Sequence, residues 1–233
     1  MEEYSKLIQA EEAIKTVKDG TSLMIGGFGG VGSPPLLIDA ILEKGVRDLH
    51  IICNDAGFPD IGAGRLITAG RARKLTASHI GSNPVAGKLM TDGKLEVEFS
   101  PQGTLAERIR AGGTGLGGIL TDIGLENEYV RNGKQLIESE GSTYLLETAI
   151  RADTAILHCG IADTWGNLSY CKSARNMNPL MAMAADYTVA EAEQLVKAGE
   201  MDGEEVVTPG VFIQAVVQSK GVNWKWVWEK KQS

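Results

Sequence analysis

Residues Asp19 to Pro34 read Asp-Gly-Thr-Ser-Leu-Met-Ile-Gly-Gly-Phe-Gly-Gly-Val-Gly-Ser-Pro, an apolar strand that runs into a glycine-rich turn and then a proline. Leu23, Met24 and Ile25 form the unbroken apolar run of a strand buried on both faces, and Asp19-Gly20 supplies the turn that feeds it. Gly26, Gly27, Gly29, Gly30 and Gly32 lack side chains, so backbone N–H groups can come close to a ligand and positive φ costs little. A turn that only packed would need fewer of them, because each glycine adds ~0.5 to 1 kcal/mol of unfolded-state entropy. The expectation is a cradle, Gly26 to Gly32, for an anionic or carbonyl-bearing group. Ser33 then reads as a helix N-cap with Pro34 at the first helical position. Leu36, Leu37, Ile38, Ala40, Ile41 and Leu42 follow at helical spacing, giving a helix from Pro34 to Lys44.

The same glycines also fit a dinucleotide fingerprint. Gly27-x-Gly29-x-x-Gly32 matches G-x-G-x-x-G, and Asp55 ends the next strand, Leu49 to Asn54. In that fold the helix begins within the motif, which would put Pro34 and Pro35 a turn inside it, where they remove donors and clash with preceding carbonyls. A helix that begins later displaces the cradle from the position a pyrophosphate needs.

Outward from this stretch, strand and helix patterns alternate. A first helix is expected near Ala10 to Lys18, strands near Lys74 to Ser78 and Leu95 to Phe99, a helix at Thr104 to Ala111, and strands near Ala155 and Tyr187. Such alternation predicts an α/β fold: a mostly parallel sheet flanked by helices, with ligand loops at the carboxyl ends of strands. Lys134 to Glu147 differs. Gln135-Leu136-Ile137-Glu138, Gly141-Ser142 and Thr143-Tyr144-Leu145-Leu146 read as a hairpin, a small antiparallel excursion. No Ser/Pro-rich or charge-rich linker divides the 233 residues, so residues 1–233 are read as one domain.

With 23 basic and 30 acidic residues the net charge is −7, and no basic stripe suggests a nucleic-acid partner. Met1-Glu2-Glu3-Tyr4 is acidic where a signal peptide is basic, and no apolar run approaches the roughly 18 residues of a membrane helix. The expected location is cytoplasmic. Cys53, Cys159 and Cys171 are too irregularly spaced for paired zinc ligands and read as reduced, buried thiols. His158 is taken to end a short strand, Ala155 to Leu157, and without a second ligand pair it predicts no metal site.

Asp19 to Pro34 satisfies every fixed position of the first signature of the family I coenzyme A transferases: an Asp-Gly turn, three apolar residues, Gly-Gly-Phe, three free positions and Gly-x-Pro. The resemblance extends along the chain through Asn54-Asp55, Ser78-His79-Ile80-Gly81, Ser100-Pro101-Gln102-Gly103-Thr104-Leu105, Gly112-Gly113, Gly166-Asn167-Leu168, Ala174-Arg175-Asn176 and Val207-Thr208-Pro209-Gly210. The chain most resembles α subunits of the acetate or butyrate:acetoacetate type. This implies an open CoA-transferase-like fold and an enzyme that moves coenzyme A between a short-chain acyl-CoA and a carboxylate such as acetoacetate, acetate or butyrate. Coenzyme A would be a substrate, with no permanently bound cofactor. The resemblance further implies a β subunit as partner, in an α2β2 assembly.

It also implies roles for residues. Gly26, Gly27, Phe28, Gly29, Gly30, Val31 and Gly32 would meet the thioester end of coenzyme A. Gln102 would donate to the thioester oxygen; position alone favours a helix-entry residue that bonds the Thr104 turn, and the surrounding motif reverses that preference. Gly112 to Gly118 reads as a mobile loop near the same mouth, although Gly118-Ile119-Leu120-Thr121 stands where some relatives carry Phe-Tyr-Thr. The nucleophilic glutamate of the family lies in a Ser-Glu-Asn-Gly motif on the β half. The nearest approach here, Ser139-Glu140-Gly141 among Glu138 and Glu147, reads as a solvated turn, as do Glu126 and Glu128. Arg108 and Arg110 could face phosphates or be solvated or ion-paired. Trp224, Trp226 and Trp228 alternate, so an extended tail would place three indoles on one side, against this chain or a partner. Two other functions remain open at this stage, a ligand-sensing regulatory domain and an NAD-binding oxidoreductase subunit.

Overall fold

The computed structural model describes residues 5–224. In chain order its elements are α1 (Ala10–Ala13), β1 (Ser22–Ile25), α2 (Pro35–Lys44), β2 (Leu49–Ile52), α3 (Ala63–Thr68), β3 (Ala72–Ala77), α4 (Pro84–Thr91), β4 (Glu96–Phe99) and α5 (Gln102–Gly113). There follow β5 (Gly118–Thr121), α6 (Glu128–Arg131), β6 (Leu136–Ser139), β7 (Ser142–Thr148), β8 (Ala152–Asp163), β9 (Leu168–Ser169), α7 (Asn178–Met183), β10 (Ala185–Val196) and β11 (Ala215–Gln218).

Seven strands pair in parallel in the order β11-β10-β8-β1-β2-β3-β4, and β9 adds an antiparallel edge on β8. From β1 the chain winds one way through β2, β3 and β4, then returns to the other side of β1 as β8, β10 and β11. The strand order therefore reverses beside β1, and open α/β sheets bind ligands outside the carboxyl ends of strands at such a switch point. That end of β1 is where the glycine-rich turn begins.

Alternation along β1 builds both core layers. Leu23 and Ile25 point to one face, with Leu37, Ile38 and Ile41 of α2, while Met24 points to the other, with Ile109 of α5 and Met181 of α7. A strand covered on both sides must be apolar throughout, as Leu-Met-Ile is.

The hairpin forms as expected, and β5 joins it to make a three-stranded antiparallel sheet, β5-β7-β6. Its turn residues Glu140 and Gly141 both have positive φ, 49° and 77°, the conformation of a two-residue turn whose twist suits a hairpin. Ser139, Glu140 and Gly141 are exposed. Glu147 is not: it is buried on β7, with Lys134 Nζ at 2.6 Å and Arg108 Nε at 3.6 Å.

Four other expectations need correction. The first helix stops at Ala13, because Lys44 Nζ takes the Ile14, Lys15 and Val17 carbonyl oxygens at 2.7 to 3.2 Å, acceptors that a longer helix would use. The strand at Leu49 ends at Ile52, before Asn54. His158 lies in the middle of the twelve-residue β8, buried, and does not end a strand. Gly112 to Gly118 is not a loop at the mouth. Gly112 and Gly113 close α5, and because that helix starts at the carboxyl edge, its twelve residues carry them roughly 18 Å away.

Candidate functional site

The Gly26 to Gly32 turn is folded around its own polar groups. Gly26 N–H donates to Ile156 O, and Phe28 and Val31 exchange N–H···O bonds at 3.0 and 3.1 Å. Gly27 N–H donates to Asn176 Oδ1 at 3.3 Å, and Gly29 N–H to Asp55 Oδ2 at 2.8 Å. Only Gly30 and Gly32 keep N–H groups without a hydrogen-bond partner among the described residues. The sequence-based picture of a row of free donors thus changes to a rigid turn that presents Phe28, Gly29 and Val31.

The rigidity comes from two asparagines far along the chain. Asn176 Nδ2 donates to Val31 O at 3.2 Å while its Oδ1 takes the Gly27 N–H, so one side chain spans the turn. Its backbone sits at φ 29°, a costly conformation for a residue other than glycine. Asn178 Nδ2 donates to Gly32 O, His158 O and Ala174 O. A Cβ at Gly26 would overlap Asn178 Oδ1, and one at Gly32 would overlap Ala174 O. These glycines are required by close approach of the protein to itself.

Helix α2 starts at Pro35, with Pro34 as N-cap, one residue later than the spacing suggested. Ser33 does not cap it, because its hydroxyl donates to Gly30 O at 2.7 Å. The first N–H groups instead meet Glu191 of β10, whose Oε2 accepts from Leu36 at 2.9 Å and Leu37 at 3.2 Å while Oε1 accepts from Ser219 Oγ at 2.6 Å. Burial pushes this carboxyl up to about 7, outweighing the Ser219 hydroxyl and the Leu37 and Leu36 amides that pull it down. A dinucleotide pyrophosphate would need the helix N-terminus that this side chain occupies.

Trp224 settles on this chain. Its indole Nε1 donates to Ser33 O at 3.1 Å and its ring meets His158 edge-on, centroids 5.4 Å apart. Trp226 and Trp228 lie outside the described residues. Burial pushes the His158 imidazole down to about 4, so it is neutral at pH 7, and Glu193 Oε1 at 3.3 Å from Nε2 faces an uncharged ring. Cys53 and Cys159 are buried as expected, whereas Cys171 is exposed.

An open groove of about 770 Å³ lies over the turn, lined among others by Phe28, Phe58, Tyr170, Arg175, Asn176 and Val207. Gln102 lies elsewhere on the same edge. It is the first residue of α5, exposed, and its amide has no hydrogen-bond partner among the described residues, so it does not bond the Thr104 turn. Three strand spacings separate β4 from β1, roughly 14 Å. A cleft of about 710 Å³ beside Gln102 is lined by Pro101, Thr104 and Glu107 on one side and by Ile119, Leu120 and Ile123 on the other. The arginines of α5 face neither opening as free cations. Arg108 is buried, donating to Glu98 Oε1 at 2.9 Å and to Thr148 O at 2.8 Å, and Arg110 pairs with Glu107. Glu126 and Glu128 are exposed.

Asp55, Asn178 and Glu191 hold the site together, yet the sequence motifs gave them no such part. Glu191 had a visible signal: a single carboxylate inside the apolar run Val189-Ala190-Glu191-Ala192 of a strand covered on both faces needs a partner. Asn176 stood in the Ala174-Arg175-Asn176 motif without a stated role, and Asn178 had only its place two residues on.

The family described as coenzyme A transferase matches residues 7–219. Over 98% of its length the chain is 62% identical to a probable coenzyme A transferase subunit alpha of Bacillus subtilis, covering all of that protein. It is 48% identical over 93% of its length to the acetate CoA-transferase subunit alpha of Escherichia coli, covering 98% of it. Against the acetoacetyl-CoA:acetate/butyrate CoA transferase alpha subunit of Clostridium acetobutylicum the identity is 46% over 92%, again covering 98%. Among solved structures, an acyl-CoA transferase of Escherichia coli O157:H7 in a thioester complex with CoA superposes with a TM-score of 0.83 over 93% of this chain. This chain spans half of that one, and at 23% identity the likeness bears on the fold alone. With the parallel sheet, the reversed strand order and these relatives in agreement, the chain belongs to the coenzyme A transferase family as an α subunit.

Proposed function

We propose that this chain, paired with a β subunit in an α2β2 assembly, moves coenzyme A from a short-chain acyl thioester to a carboxylate such as acetoacetate, acetate or butyrate. The observation that carries the substrate class is the 46 to 48% identity, over more than nine-tenths of the chain, to α subunits named for acetate, butyrate and acetoacetyl-CoA. The glutamate nucleophile comes from the β subunit. Its carboxylate attacks the thioester carbonyl, and the resulting oxyanion accepts a hydrogen bond from the Gln102 amide. The C–S bond breaks to give an acyl-glutamyl anhydride and coenzyme A thiolate. The thiolate then attacks the glutamyl carbonyl, releasing the donor carboxylate and leaving a glutamyl thioester that the acceptor carboxylate resolves by the same steps in reverse.

What supports Gln102 in this role is its exposed, unpartnered amide at the carboxyl end of β4. What supports the Gly26 to Gly32 turn, including Phe28 and Val31, as the seat of the thioester end is its place beside the strand-order reversal, under an open groove. The buried thiols Cys53 and Cys159 fit a reducing, cytoplasmic setting. In a reconstituted complex, Gln102→Ala is expected to lower kcat by about 10²-fold, with assembly intact, as for loss of one oxyanion donor. An unchanged rate would remove Gln102 from the mechanism, and acyl exchange by this chain alone would refute the division of labour.

A further inference from the structure

Two turns of the carboxyl edge share one sequence pattern and one conformation. Gly27-Phe28-Gly29-Gly30-Val31-Gly32 follows β1 and Gly57-Phe58-Pro59-Asp60-Ile61-Gly62 follows β2: Gly-Phe, two residues, a β-branched aliphatic, Gly. In each, the phenylalanine bridges antiparallel to the aliphatic residue, Phe28 to Val31 and Phe58 to Ile61. All four framing glycines have positive φ, 123° and 82° in the first turn and 63° and 61° in the second.

The two turns are locked to each other. Asp55 accepts Gly29 N–H through Oδ2 at 2.8 Å and Gly57 N–H through Oδ1 at 2.9 Å, so one buried carboxylate serves both. A Cβ on Gly30 would run into Ile61 Cγ2, and one on Gly62 would crowd Ser33. On these fixed backbones Phe28 and Phe58 remain 48% and 42% exposed, and both line the same groove of about 770 Å³. That volume falls within the range of small-molecule clefts. Tyr170 and Val207 add apolar wall, and Arg175, whose guanidinium has no hydrogen bond or ion pair among the described residues, adds a cation. An aliphatic acyl chain matches the aromatic walls, and a carboxylate or phosphate carried on the same ligand matches the guanidinium.

We propose that the second turn is a ligand-binding element equal in standing to the first, and that Phe58 sets the length of aliphatic acyl chain the groove accepts. The proposal rests on the transferase reading above. Its test uses the reconstituted complex and compares kcat/KM for acetyl-, butyryl- and hexanoyl-CoA in the native chain, Phe58→Ala and Phe58→Trp. One methylene in an apolar pocket changes discrimination by roughly 10-fold or more, so Phe58→Ala is expected to raise the hexanoyl-to-acetyl ratio at least about ten-fold, and Phe58→Trp to lower it. A ratio that moves in neither variant overturns the proposal. So does an equal loss for all three thioesters with weakened subunit association in sedimentation, which would assign Phe58 to the subunit interface. Inactivity of the native complex toward every thioester is a different result: it refutes the transferase reading and this proposal with it.

Discussion

Gly26 to Gly32 and Gly112 to Gly118 each hold five glycines, and they use them for different reasons. In the first segment Gly27, Gly29, Gly30 and Gly32 all have positive φ, whereas in the second only Gly115 does. The second segment needs glycine for close approach: a Cβ at Gly112 would overlap Ile150 O, and one at Gly113 would lie 2.7 Å from Met183 Cβ. It closes a helix against its neighbours. The first segment combines both needs and faces a groove. A run of glycines therefore marks a crowded backbone in both places, and only the first run lies at the carboxyl edge beside the strand-order reversal, where the proposed ligand site is.

The sharpest way to break this contrast is to add one methyl to each. Gly26→Ala would drive Cβ into Asn178 Oδ1, which cannot swing away because the same amide holds three carbonyls. Gly112→Ala would meet the Ile150 backbone. Each is expected to cost about 3 kcal/mol in urea unfolding, at the upper end for overpacking. The difference lies in turnover per folded complex, which should collapse for Gly26→Ala and persist for Gly112→Ala. Equal turnover would erase the distinction.

A smaller effect separates the helices attached to the two segments, since only α2 begins on a buried acid. Glu191 has a folded pKa of about 7 against an ordinary 4.5, so in that interval the folded state holds a proton that the unfolded state has lost. Its contribution is fully present below pH 4.5 and fades as pH rises through 7. His158, pushed down to about 4 from 6.5, acts oppositely: folding is favoured above pH 6.5, and that share fades as pH falls toward 4. The two offset each other in the native chain. Glu191→Gln removes one, so its stability relative to the native chain should rise by about 2 to 3 kcal/mol between pH 4.5 and 7. Parallel stability curves in urea titrations at several pH values would rule out this titration.

The smallest effect is expected at Gly29, where an added Cβ meets nothing within 4 Å and only φ, at 57°, resists. Gly29→Ala should cost ~1 kcal/mol, the left-handed penalty of a non-glycine residue. Its melting temperature would then fall far less than that of Gly26→Ala. A loss as large as at Gly26 would mean that the crest of the turn is as crowded as its base.

Leu23-Met24-Ile25, the helical spacing after Pro34 and the hairpin within 134–147 were all legible from local pattern, because each depends on residues within a few positions of one another, although the hairpin turns at Glu140-Gly141 and not at Gly141-Ser142. The Gly-Phe pattern at 57–62 repeats that at 27–32, yet only the tertiary structure shows both phenylalanines bordering one groove. Arg108 illustrates the opposite case. Nothing in Glu-Arg-Ile-Arg distinguishes it from Arg110, yet one is buried on Glu98 and Thr148 O and the other pairs with Glu107 three residues before it.

The amino-acid order alone determined the alternation of strands and helices, the place of the glycine turn at the end of a buried strand, and the family. The tertiary structure alone decided that Glu191 would cap α2, that Asn176 and Asn178 would grip the turn, and that most of its N–H groups would be taken within the protein. The physical reason is distance along the chain. Leu36 and Glu191 stand 155 residues apart, Gly27 and Asn176 stand 149 apart, and the parallel order of β1, β8 and β10 is what brings each pair to hydrogen-bonding range.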